Sequence, residues 1–207
     1  MAMAGRNCVA LAVDKRFASG PQMVHVSPRR VLKIHSKCVV ALVGLDGDVQ
    51  SLASELSTQV IQKVNRESSL GLFGNQGSQS ITPKAMAFLT SHILYGYRTS
   101  PLYCEPLIVG LYDNSDPFIC STDMLGAKMI VEKDDDMYAC VGAASKSLHG
   151  TAEALWKPNM DSDELVQVCG NAFLSALERD CLSGYGAVIY LITPNGIQEY
   201  ELESRTD

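Results

Sequence analysis

Asp180 and Ser183 stand three residues apart in the run Glu178-Arg179-Asp180-Cys181-Leu182-Ser183-Gly184. A carboxylate and a hydroxyl so close can handle a proton together. They can equally close a turn through side-chain hydrogen bonds. Other groups with the chemistry of a nucleophile are the thiols of Cys8 and Cys181. Cys8 lies in an apolar run whose burial would disfavour a thiolate, and no histidine sits at a telling position for either thiol. His25, His35, His92 and His149 have no metal-ligand spacing with one another or with cysteine. No metal and no cofactor is expected.

Those groups must be held by a sizeable core. With 207 residues, 46% hydrophobic and 19% charged, the chain reads as one ordered domain spanning 1–207 rather than two small ones. A net charge of -6 argues against nucleic acid as a partner, which needs a basic footprint to displace counterions. No apolar run approaches the roughly 18 residues of a membrane span, and Met1 to Asn7 contains no signal-peptide core. The seven cysteines are odd in number and form no C-x-x-C pair. Buried free thiols in a reducing compartment fit that pattern.

The elements follow from periodicity. Asn7 to Asp14 is short and almost continuously apolar, as a strand buried on both faces would be. Val31–His35 and Lys37–Gly44 read as two strands joined by a turn at Ser36. Asp46 offers an N-cap, and Val49, Leu52, Ala53, Leu56, Val60 and Val64 recur at helical spacing. Ser68 to Thr82, rich in Gly, Ser, Asn and Gln, reads as a mobile surface loop. Pro83 opens a second helix with Met86, Leu89, Ile93 and Tyr97 on its apolar face. Four strands follow, over Pro106–Tyr112, Pro117–Asp123, Lys128–Glu132 and Met137–Gly142, with Asp134 to Asp136 as a solvated turn. Two helices come next, from about Ser145 to Trp156 and from near Asp161. Gly186–Ile192 and Ile197–Leu202 close the chain around a Pro194-Asn195-Gly196 turn. Grouped strands and grouped helices imply α+β layers in which helices cover sheets.

Four stretches together carry a resemblance. Val9-Ala10-Leu11-Ala12-Val13-Asp14-Lys15-Arg16 resembles the V-A-x-A-x-D-x-R first-strand motif of proteasome beta subunits, and Leu42-Val43-Gly44-Leu45-Asp46-Gly47-Asp48 resembles their strand-to-helix turn. Cys140 to Ser145 resembles the segment holding their G-S-G, and Arg179-Asp180-Cys181-Leu182-Ser183-Gly184 resembles their R-D-x-x-S-G signature. Met1 to Ala10, Leu155 to Asp161 and Arg205-Thr206-Asp207 resemble the family's non-catalytic third beta type. The resemblance spans essentially the whole chain. It implies a four-layer alpha-beta-beta-alpha sandwich, the N-terminal nucleophile hydrolase fold.

What it implies about chemistry is mostly loss. Active members attack with the hydroxyl of an N-terminal threonine whose own amine takes the proton. Here the aligned threonine would fall before Met1, and the first threonine is Thr58. The family's lysine aligns with Arg30, which stays charged but cannot act as a base. The G-S-G serine aligns with Ala143. Asp14, Asp180 and Ser183 survive, and their expected role is structural: a buried carboxylate beside Arg30, and a bonded turn.

The resemblance therefore implies a structural subunit that is not itself an enzyme. It would stand in a heteroheptameric beta ring of the 20S core particle, against the opposing beta ring and an alpha ring. It would support ATP- and ubiquitin-dependent protein degradation by neighbouring threonine proteases, in cytoplasm and nucleus, with no cofactor, nucleic acid or membrane of its own. The alternative is an active threonine peptidase whose nucleophile lies upstream of these residues. Cys120 and Asp123 fall in a stretch that, in the third beta type, borders the adjacent subunit of trypsin-like specificity. They are expected to shape that subunit's substrate pocket.

Overall fold

Alternation within single strands sets up the layers. In the computed structural model, which describes residues 1–19, 22–26, 30–69, 81–131 and 137–204, strand β6 (Cys38–Gly44) sends Val39 and Ala41 to one side and Cys38, Val40 and Leu42 to the other, all buried. Successive side chains of a strand point to opposite faces, so a strand apolar throughout needs cover on both.

β6 lies in a five-stranded antiparallel sheet with β5 (Val31–His35), β7 (Cys104–Leu111), β8 (Pro117–Thr122) and β9 (Lys128–Ile130), in the order β5-β6-β7-β8-β9. A second five-stranded sheet has the order β10-β1-β2-β11-β12, built from Tyr138–Ala139, Ala2–Gly5, Cys8–Asp14, Ala187–Thr193 and Gly196–Leu202. Ala2, Val9 and Leu11 of that sheet meet Val39, Leu107 and Ile119 of the first in a buried apolar central layer. Helices α1 (Asp46–Ser69) and α2 (Pro83–Gly96) cover the outer face of the β6 sheet through Leu52, Leu56, Met86 and Leu94. Helices α3 (Ser145–Leu155) and α4 (Ser162–Leu177) cover the other sheet through Leu148, Ala152, Leu165 and Phe173. The order helix, sheet, sheet, helix is the expected four-layer sandwich. Each fully buried large side chain contributes about 1.5–3 kcal/mol of gross stabilisation.

Local chemistry sets several boundaries. Thr82 caps α2 by accepting from the Ala85 amide at 3.2 Å, with Pro83 in the first turn where its missing N–H costs nothing. Asp163 and Glu164 lie at the positive end of α4. The Leu155–Asp161 segment docks on the first strand: Trp156 Nε1 donates to Ala4 O at 2.9 Å, and the Arg6 amide donates to Met160 O at 2.7 Å.

Some expectations need correction. Asp46 does not cap α1. The Val49 amide bonds to Leu45 O, so Asp46 is already in the first turn, where it accepts from Gln50 Nε2. Tyr97 leaves the apolar face of α2 and is exposed beyond its end, while Ala87, Thr90 and Leu94 are buried. Met137–Gly142 pairs only over Tyr138–Ala139. Strands β1, β3 (Arg16–Ser19) and β4 (Gln22–Val26) were not expected. Of the expected Ser68–Thr82 loop, Ser68 and Ser69 belong to α1 and Thr82 to the α2 cap, and the span 70–80 lies outside the described residues. The expected Asp134–Asp136 turn and Arg205-Thr206-Asp207 also lie outside them. Among the described residues no helix is long and apolar enough to cross a membrane.

Candidate functional site

Asp14 ends β2 and Arg30 immediately precedes β5, so the pair joins the two sheets at one open end of the sandwich. Arg30 Nη1 donates to Asp14 Oδ1 at 2.9 Å, with both side chains less than one-fifth exposed. The other arm of the fork, Nη2, donates to Arg16 O at 2.9 Å. A lysine ammonium is a point charge without this two-pronged geometry. Burial pushes the Asp14 carboxyl above its ordinary value, and the Arg30 charge only partly offsets that.

The network continues through Arg16, itself buried, whose Nη1 donates to Leu182 O at 2.7 Å. That carbonyl belongs to the turn after α4. Within it, Asp180 Oδ1 accepts from the Leu182 amide at 3.1 Å and Oδ2 from Ser183 Oγ at 2.6 Å. The expected turn is therefore closed by side-chain bonds, and the Ser183 proton is already committed to Asp180. Arg16 stands in the first-strand motif, but its reach to Leu182 was not foreseen. A cation two residues past a strand-end aspartate was the available signal.

Asp14, Arg30, Ala143 and Ser183 line one cavity of about 550 Å³, as do Arg16 and Glu105. The structure thus brings together four of the five remnant positions, and Asp180 is joined through Ser183. Ala143 presents a methyl group where the family pattern has a hydroxyl. Among the described residues, no threonine and no histidine lines the cavity. Cys104 does, but burial pushes its thiol up to about 12, and burial pushes Cys8 up to about 11. Neither can supply much thiolate at neutral pH. Six of the seven cysteines are buried and all are free; Cys181 is exposed. The arrangement can carry charge across the joint between two sheets.

Cys120 and Asp123 are not brought to one face. Cys120 has no exposed surface and packs between its sheet and helices α1 and α2. Its thiol touches no solvent because β8 alternates, placing Cys120 on the helix side. Asp123 is exposed, in the turn after β8. Its Oδ1 accepts from the amides of Leu125 and Ala127 at 2.9 and 2.8 Å.

Comparison with known proteins agrees with this geometry. The family model described as proteasome subunit matches residues 1–192. Proteasome subunit beta type-3-A of Arabidopsis thaliana is 39% identical over 207 residues, covering 100% of this chain and 95% of that protein. Proteasome subunit beta type-3 of Picea mariana is 36% identical with the same coverage. That of Trypanosoma brucei brucei is 34% identical over 209 residues, again covering 100% and 95%.

Proposed function

The chain belongs to the proteasome subunit family, and from that premise we propose that it is a non-catalytic, structural beta subunit of the 20S core particle. It assembles with other proteasome subunits. Its place is in a heteroheptameric beta ring, stacked on a second beta ring and flanked by an alpha ring. It supports ATP- and ubiquitin-dependent protein degradation carried out by neighbouring threonine-protease subunits, in cytoplasm and nucleus.

One observation carries the absence of catalysis. The remnant cavity holds Asp14 locked to the Arg30 fork, a methyl group at Ala143 and a Ser183 proton donated to Asp180. A methyl group in place of a hydroxyl and a permanently charged guanidinium in place of a base both remove general-base help, which costs a reaction roughly 10²–10⁴ in rate. A threonine-directed covalent probe applied to the purified particle should label other beta subunits and leave this chain unlabelled. Labelling of any residue here would overturn the reading.

Asp123 is the residue through which this subunit takes part in a neighbour's specificity. An exposed carboxylate at the end of β8 can pair with the Lys or Arg side chain of a substrate held in the adjoining active subunit. Cys120 supports that turn only from behind, as part of the packed helix–sheet layer.

A further inference from the structure

The turn that carries Asp123 is tied to α2 by a polar contact inside an otherwise apolar layer. Ser91, on the third turn of α2 and buried, donates from Oγ to Gly126 O at 2.5 Å. The same hydroxyl accepts from Lys128 Nζ at 2.9 Å. The Lys128 ammonium also lies 4.6 Å from the centre of the Phe88 ring, one helical turn before Ser91. Gly126 has φ +87, and a Cβ there would meet Ser91 O at 2.5 Å, so the turn rests directly on the helix backbone. On its other side the turn is closed by the two amide bonds to Asp123 Oδ1 and by Asp123 N to Ala127 O at 3.1 Å. Among the described residues, the second carboxylate oxygen of Asp123 accepts no hydrogen bond.

We infer that Ser91 and Lys128 are positioning residues, which fix the 123–128 turn on α2 so that the free Asp123 oxygen is held in one place for a basic substrate side chain in the adjoining subunit. The inference rests on the role proposed above for Asp123. It adds that the carboxylate is useful because it is immobilised. A charged partner held in place loses less conformational freedom on binding than one on a loose loop.

The two roles Lys128 could play differ in sign. Lys128 pairs with Thr122 across the β8–β9 ladder, next to Asp123. If it acted only through its charge, its removal would leave a more negative site and strengthen binding of basic peptides. If it acts by positioning, its removal loosens the turn and weakens that binding.

The test uses the assembled particle, with peptides cleaved after basic, acidic and apolar residues. Lys128→Met should raise KM for the basic peptide alone, by about threefold to tenfold, the scale of one ordinary hydrogen bond, because the Asp123 carboxylate is loosened rather than removed. Ser91→Ala should do the same, and Lys128→Met should add nothing in an Asp123→Asn background. Lys128 is exposed, so that variant decides the matter if the Ser91 variant does not assemble. An unchanged or lowered KM in Lys128→Met, with Asp123→Asn still impaired, overturns the positioning role and leaves the Asp123 reading standing. Equal losses on all three peptides would mark a general structural defect and overturn it too. No effect of Asp123→Asn removes the reading and the inference together.

Discussion

Asp14 and Arg30 form a largely buried ion pair at the joint between the two sheets. Removing one partner of a buried pair typically costs about 3–5 kcal/mol, because the survivor is left without compensation. Arg30→Met is expected to destabilise the subunit at the low end of that range, since both side chains keep some exposure. Asp14→Leu combined with Arg30→Met should cost far less than the sum of the single changes. The pH dependence follows from the raised carboxyl of Asp14. A carboxyl raised in the folded state binds protons more readily there than in the unfolded chain. Its contribution therefore falls as pH rises through the window from the unfolded value to the folded one. Arg30→Met raises the folded value further, so its penalty should be full at pH 8 and shrink as pH falls towards the carboxylate range. Dissociation temperatures of the particle across that range measure this, and a penalty independent of pH would refute it. At this scale the sequence was informative where a motif fixed identity and spacing, as at Asp14, Asp180 and Ser183. It was silent about Arg16 binding Leu182 O, because contact between residues 166 positions apart depends on how two sheets and a turn meet.

The elements differ in how plainly residues announce them, and the difference is physical. β2, β6, β7 and β11 are buried on both faces and consist largely of β-branched and aliphatic residues, so they were legible. β1 is Ala2-Met3-Ala4-Gly5, a poor strand former, and it is a strand because β2 and β10 pair with it on either side. The β3–β4 hairpin carries mixed polarity and a register shift at Phe17/Ala18, which blurs alternation. Close contacts between elements are equally hidden. Gly110 of β7 is such a contact: a Cβ there would meet Lys37 O at 2.5 Å and Pro83 Cγ at 2.6 Å. The missing side chain lets the first turn of α2 rest on the sheet. Gly110→Ala should therefore cost about 1–3 kcal/mol through overpacking, visible as a lower melting temperature of the particle or reduced incorporation of the subunit. Wild-type incorporation with an unchanged melting temperature would show that α2 can move aside.

At the scale of the whole molecule, one pair of sheet edges is guarded and the other is not. On one side, β5 and β12 are joined by an ion pair between Lys33 and Glu199, and Lys15 pairs with Glu201 at 3.0 Å. Charged residues of this kind discourage strand addition. On the other side, β9 exposes Met129 and Ile130, and the adjoining α2 exposes Phe88 and Tyr95. Large apolar groups left exposed, where they adjoin one another, mark interaction surfaces on a subunit and an aggregation liability on a free chain. Interfaces in obligate assemblies commonly bury about 2,000–5,000 Å² and resemble a core cut in half. A subunit of such an assembly draws part of its stability from its neighbours. Expressed without them, this chain should form aggregates or non-native oligomers rather than a stable monomer, and co-expression with other proteasome subunits should restore solubility. Sedimentation velocity separates the outcomes. A single species of 22.4 kDa that stays monodisperse as concentration rises would mean that the exposed face of β9 and α2 needs no partner.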